Sequence, residues 1–143
     1  MEKVELVELV KSKFDERNIA VEYTDGELNF TAKDIELTNN RAVVDADFKI
    51  GGTDFMHTVG FVIKCPVSLH GDYDSFLQAV NKINSSISTG KYFLEGDGNN
   101  AMFCCTYSTT FFNTEQERMN VDRIMMFMFD SLILEYSDIL KTI

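Results

Sequence analysis

Apolar residues recur along this chain with two periods. From Glu2 to Arg17 the spacing is helical: Lys3, Val7, Val10 and Phe14 share one face, and Leu6 and Leu9 widen it. Glu2 and Glu5 come early and Lys13 and Arg17 late, which suits the helix dipole, and Asn18 is the expected stop. The period then drops to two. Ile19–Tyr23 and Leu28–Thr31 flank Thr24-Asp25-Gly26-Glu27, a short-range hairpin signal. Asp34–Thr38 either extends the second of these strands or forms another, and Asn39-Asn40 is a turn candidate. Ala42–Ile50 places Val44, Ala46, Phe48 and Ile50 on one face, with Val43, Asp45, Asp47 and Lys49 on the other. Such alternation implies an antiparallel sheet with one buried and one wet face.

Gly51-Gly52-Thr53-Asp54 turns the chain into Phe55–Cys65, where Phe55, His57, Val59, Phe61 and Ile63 share one parity. Pro66 cannot donate to a ladder, so the strand is expected to end there. Helical spacing returns with Phe76, Val80, Ile83 and Ile87, after a cap from Asp72 or Asp74. Ser88-Thr89-Gly90 is expected to end this helix, with the glycine left-handed. Lys91–Glu95 and Ala101–Phe112 read as two strands around the loop Gly96-Asp97-Gly98-Asn99-Asn100. Thr114-Glu115-Gln116-Glu117 matches a capping box. A last stripe follows: Val121, Met125, Phe129 (or Met128), Leu132, Tyr136, Ile139 and Ile143. Every position from Ile124 to Phe129 is apolar, which predicts burial on more than one side or dimerisation. The order is α-β-β-β(-β)-α-β-β-α in one domain over residues 1–143. This is an α+β fold with an antiparallel β-sheet and helices packed on it.

Composition narrows the function classes. With 13 basic and 23 acidic residues the net charge is −10, and no Lys/Arg cluster exists to displace phosphate counterions or to hold an anionic bilayer. Nucleic-acid and membrane partners are therefore not expected. The start, Met1-Glu2-Lys3-Val4-Glu5, lacks the pattern of a signal peptide, and the longest apolar run is too short to span a bilayer. Cys65, Cys104 and Cys105 are odd in number and form no C-x-x-C pair, so they read as buried free thiols of a reducing, cytoplasmic compartment. Neighbours on a strand, Cys104 and Cys105 should point to opposite faces.

Candidate chemistry is sparse. His57 and His70 form no metal-binding spacing, and no metal or cofactor is expected. Asp45 and Asp47 share a strand face about 7 Å apart, where an exposed alternating pattern accounts for them. The Gly96–Asn100 loop resembles a calcium loop only superficially, since the twelfth position from Asp97 is Ser108 and the flanks are strands. No phosphate-binding or nucleophile motif occurs, so an enzyme is not expected. The alternative is a small-ligand domain or enzyme whose sheet-lined pocket uses Asp45, Asp47, His57 or Tyr107; an acidic mimic acting as an inhibitor is a third. Met119, Met125, Met126, Phe127, Met128 and Phe129 are the strongest lead. Methionine-rich surfaces accommodate varied partners, although core filling explains the same residues. Met125, Met126, Phe127, Met128 and Phe129 are the candidate partner or dimer contacts.

Val80-Asn81-Lys82-Ile83-Asn84 followed by Gly90-Lys91-Tyr92-Phe93-Leu94-Glu95 resembles the YbjN-like family of bacterial sensory transduction regulators, whose helix carries V-N-x-[LI]-N before its next strand. The element order is similar to that family as well, apart from the additional strand material around Asp34–Thr38. The resemblance implies a type III secretion chaperone-like fold and a non-enzymatic, homodimeric module. Such a module binds a protein or peptide segment at sheet edges and shallow apolar patches. No site residues transfer, because the family supplies no catalytic motif. Asn81 and Asn84 lie three apart on the helix and are expected to cap backbone groups of the adjoining hairpin.

Overall fold

Strand alternation and helical stripes meet on one side of a single sheet. The computed structural model describes residues 1–24, 26, 28–37, 43–67, 73–86, 90–96 and 101–142. The turn candidates Asp25, Glu27, Asn39-Asn40, Asp72, Ser88-Thr89 and Asp97–Asn100, together with His70, Ile87 and Ile143, lie outside the described residues. Helix α1 (Lys3–Asp15) is followed by β1 (Val21–Tyr23), β2 (Asn29–Glu36), β3 (Val43–Gly52) and β4 (Met56–Val67). Then come α2 (Tyr73–Ser86), β5 (Lys91–Glu95), β6 (Ala101–Phe112), α3 (Glu117–Phe127) and α4 (Ile133–Thr142). A π-helical turn, Met128–Leu132, joins the last two helices. All strand pairs are antiparallel, in the spatial order β1-β2-β3-β4-β6-β5.

Register explains the core. Phe30, Phe48, Phe61 and Tyr107 stand opposite one another across four strands. The first three rings stack at 5.0 and 5.0 Å, and Tyr107 lies tilted against Phe61 at 5.6 Å. Phe14 of α1 closes over this row at 5.2 Å from Phe48. Val121, Met125, Met128, Leu132 and Tyr136 of the last helices complete the layer. Each fully buried ring adds roughly 1.5–3 kcal/mol. Asn18, with φ +57°, stops α1, as its sequence position implied.

Several expectations shift. Of Asp34–Thr38, whose last residue lies outside the described residues, Asp34–Glu36 extends β2 through a bulge between Ala32 and Ile35 where Asp34 takes φ +53°. Pro66 does not end β4. Pairing with β3 stops at Asp45–Lys64, and on the other side β4 continues to Val67 against Ala101. The missing N–H therefore falls where β3 no longer pairs. Phe55 lies in the turn before β4 and is 82% exposed, not inward-facing. Gly90 is not left-handed. Glycine is needed there because a Cβ would sit 2.8 Å from Cys105 Sγ and 3.0 Å from a Leu132 methyl. Thr114 and Glu117 form no capping box: Gln116 occupies the N-cap, Thr114 Oγ1 accepts from the Gln116 N–H, and Glu117 turns inward.

Helix α2 guards the outer edge of β5. Asn84 Nδ2 donates to the Tyr92 carbonyl and its Oδ1 accepts from the Tyr92 N–H, both at 2.7 Å. Asn81, by contrast, is exposed. Removing the side chain in Asn84→Ala should cost roughly 1–2 kcal/mol, because two half-buried backbone groups lose their partner. A chemical denaturation midpoint equal to wild type would contradict this.

Candidate partner-binding site

Strand lengths create an opening. β6 has twelve residues, but β5 pairs only with Met102–Thr106. The remainder, Tyr107–Phe112, is paired on its β4 side alone among the described residues. Backbone direction follows from two bonds. Asn84 takes both polar groups of Tyr92, so Tyr92 and its partner Cys105 face away from each other. Asn113 N–H donates to the Phe55 carbonyl, so odd-numbered residues of β6 bond toward β4. The N–H and C=O groups of Ser108, Thr110 and Phe112 therefore point outward from the sheet.

Natural sheets blunt such edges with charge, proline, short strands or a covering element. The β5 edge has Asn84, and β1 is three residues long and carries Glu22. Tyr107–Phe112 reads Tyr-Ser-Thr-Thr-Phe-Phe, with no charge and no proline. Beneath it, a groove of about 420 Å³ separates the strand from α3. The Tyr107 ring, 4.9 Å from Phe127, packs at its floor, while half-buried Thr109 and Phe111 and exposed Arg123 line it. At the far end Phe112 is 66% exposed beside Met56, its partner in register, which is 38% exposed. A strand laid along this edge would find backbone partners, a groove for alternate side chains and an apolar anchor.

Of the five residues singled out from sequence, Phe127 lines this groove and the other four do not. Met125 and Met128 are buried, and Phe127 and Phe129 are half-buried against Tyr107 and Phe14. Of those five, only Met126 is exposed, at 58%. Burial from Ile124 to Phe129 is thus one-sided, and the outer side faces away from the sheet.

Asp45 and Asp47 lie on the uncovered face of the sheet, each with a lysine: Lys33 at 3.4 Å and Lys64 at 2.6 Å. Burial alone would raise the Asp47 carboxyl, but hydrogen bonds from Lys64 and Thr31 and the Lys64 and Lys33 charges outweigh it and hold it below the usual range. A shallow cavity of about 620 Å³ lies over this face, walled by Thr31, Lys49, Lys64, Thr106 and Ser108. His57 and Tyr107 point to the opposite, helix-covered face, so the four candidate pocket residues do not converge. The His57 Nδ1 instead approaches Glu117 Oε1 at 2.7 Å, with both side chains at most 2% exposed. This is ion-pair distance without the alignment of a hydrogen bond.

All three cysteines are buried and free. Cys105 belongs to the main core and Cys104 points to the other face. Burial pushes their thiols up to about 12 and about 11, and Cys65 is raised for the same reason. Such thiols stay protonated and unreactive near neutrality. Among the described residues no group of three His, Cys, Asp or Glu side chains gathers as a metal site, and no helix is long and apolar enough to cross a membrane. Family models and curated proteins yield no match to this chain.

The open edge was readable in part. Lys91–Glu95 is visibly shorter than Ala101–Phe112, so a hairpin closed at the glycine loop must leave the end of the second strand overhanging. The groove and the His57–Glu117 pair carry no such signal, since each joins residues far apart in sequence.

Proposed function

We propose that this chain is a non-enzymatic protein-binding module, chaperone-like or regulatory, that takes an extended partner segment as an added strand on β6. The edge at Ser108, Thr110 and Phe112, uncharged and unpaired among the described residues, carries this reading. Main-chain hydrogen bonds would supply affinity, and side chains entering the groove beside Phe111 and Phe127 would supply selectivity. The element order, and Val80–Asn84 on a helix that leads into β5, support kinship with the YbjN-like regulators and a secretion-chaperone-like role. The module works as a homodimer in the cytoplasm, a compartment that suits three unpaired thiols.

Thr110→Pro tests the edge. The Thr110 N–H points outward, so proline removes a docking donor and leaves the β4 ladder intact. Tagged wild-type protein captured from its own cells should retain a co-purifying chain that the proline variant loses, while both unfold at similar denaturant concentrations. Equal recovery of that chain by a folded Thr110→Pro variant would contradict strand addition.

A further inference from the structure

The outer face of the last helices has a pattern of its own. Met119, Arg123, Met126, Asp130 and Leu134 follow one another at spacings of four, three, four and four, and all five are exposed. Met119 is 42%, Met126 58% and Leu134 39% exposed. Read along the helix, the order is apolar, positive, apolar, negative, apolar. Reversed, it keeps its apolar positions and exchanges its charges, so it is complementary to itself.

Among the described residues neither charge is satisfied: no side chain forms an ion pair or hydrogen bond with Arg123 or Asp130. Arg123 and Asp130 stand about 10 Å apart along the axis, too far to pair with each other. The neighbouring Asp122, pointing toward α1, is taken by Lys13 at 2.7 Å. The π-helical turn Met128–Leu132 lies within the stripe.

We infer that this stripe is the contact between two copies of the chain, packed antiparallel about a two-fold axis at Met126. That arrangement sets Met119 against Leu134 of the second copy and Arg123 against its Asp130, each pairing occurring twice, as an isologous interface requires. Met126 meets its own symmetry mate on the axis. A partner of uniform charge would satisfy only one of the two ions, whereas a second copy satisfies both. The inference rests on the homodimer reading above and assigns its surface. The β6 edge adjoins this surface only at Arg123 and remains a separate docking site.

Sedimentation equilibrium of the full chain, over a range of concentrations, tests it. Wild-type protein should dimerise reversibly. Arg123→Asp and Asp130→Arg should each raise the dissociation constant at least about tenfold, since each sets like charges together twice. The combined Arg123→Asp, Asp130→Arg variant should return to within about threefold of wild type, because the pairs re-form with the signs exchanged. Met126→Glu, which places two carboxylates on the axis, should also dissociate the dimer. All three positions are exposed, so melting curves of the variants should stay close to wild type. A wild-type chain that is monomeric throughout would overturn both this surface and the homodimer. A dimer indifferent to the single reversals, or one that the double reversal fails to restore, would overturn the surface and leave the homodimer standing.

Discussion

Replacing Glu117 by alanine should destabilise the protein by roughly 1–3 kcal/mol, the cost of leaving a buried polar group without its partner. Glu117 is fully buried and His57 nearly so, and among the described residues the Nδ1 and both carboxylate oxygens have no other partner. The pair joins the first residue of α3 to the start of β4, so its loss also loosens the start of the helix beside the binding groove. Removing both members should behave differently. A Glu117→Leu, His57→Phe double variant leaves no stranded polar group and should recover most of the lost stability. Urea unfolding of wild type, single and double variants measures this directly. A single variant within about 0.5 kcal/mol of wild type, the range of a typical surface substitution, would show that the pair is not holding the helix.

The second large effect is at the turn between β3 and β4. Gly52 has φ +96°, and a Cβ there would stand 2.2 Å from the Met56 carbonyl oxygen and 3.1 Å from the His57 Cα. Both obstacles are backbone and neither can swing away. The Thr53 N–H bond to that same Met56 carbonyl, at 2.8 Å, fixes the turn further. Gly52→Ala should therefore cost roughly 2–4 kcal/mol, from strain together with the forced displacement. Gly51→Ala, whose Cβ would meet nothing within 4 Å, is the control and should be far milder. Similar melting temperatures for the two variants would contradict the turn geometry. Phe55 and Met56 emerge from this turn next to Phe112, so its distortion should also disturb the apolar end of the β6 edge.

Much of this architecture is legible residue by residue. Period-two patterning fixed the inward faces of β3 and β4, because one side of the sheet is covered and the other is wet. Helical stripes located α1, α2 and the last helices. Where local signals failed, a long-range contact decided. Gly90 looked like a helix cap, but it answers to Cys105 and Leu132 across the core. Glu117 looked like a capping residue, but burial against His57, sixty positions earlier, claims it. The Met/Phe run from Met125 to Phe129 could not be divided by composition into core and surface. Only the docking of α3 on β6 sends Met125 and Met128 inward and leaves Met126 outside. The binding edge had a trace in the unequal lengths of β5 and β6, while the groove beneath it had none.

Amide hydrogen exchange along β6 tests the central claim most directly. In the isolated chain the N–H groups of Ser108, Thr110 and Phe112 should exchange rapidly, and those of Tyr107, Thr109 and Phe111, bonded to β4, should be protected. In the complex with the captured partner the first set should become protected as well, since an added strand accepts those three bonds. Slow exchange of Ser108, Thr110 and Phe112 in the free chain, or unchanged rapid exchange in the complex, would contradict binding by strand addition.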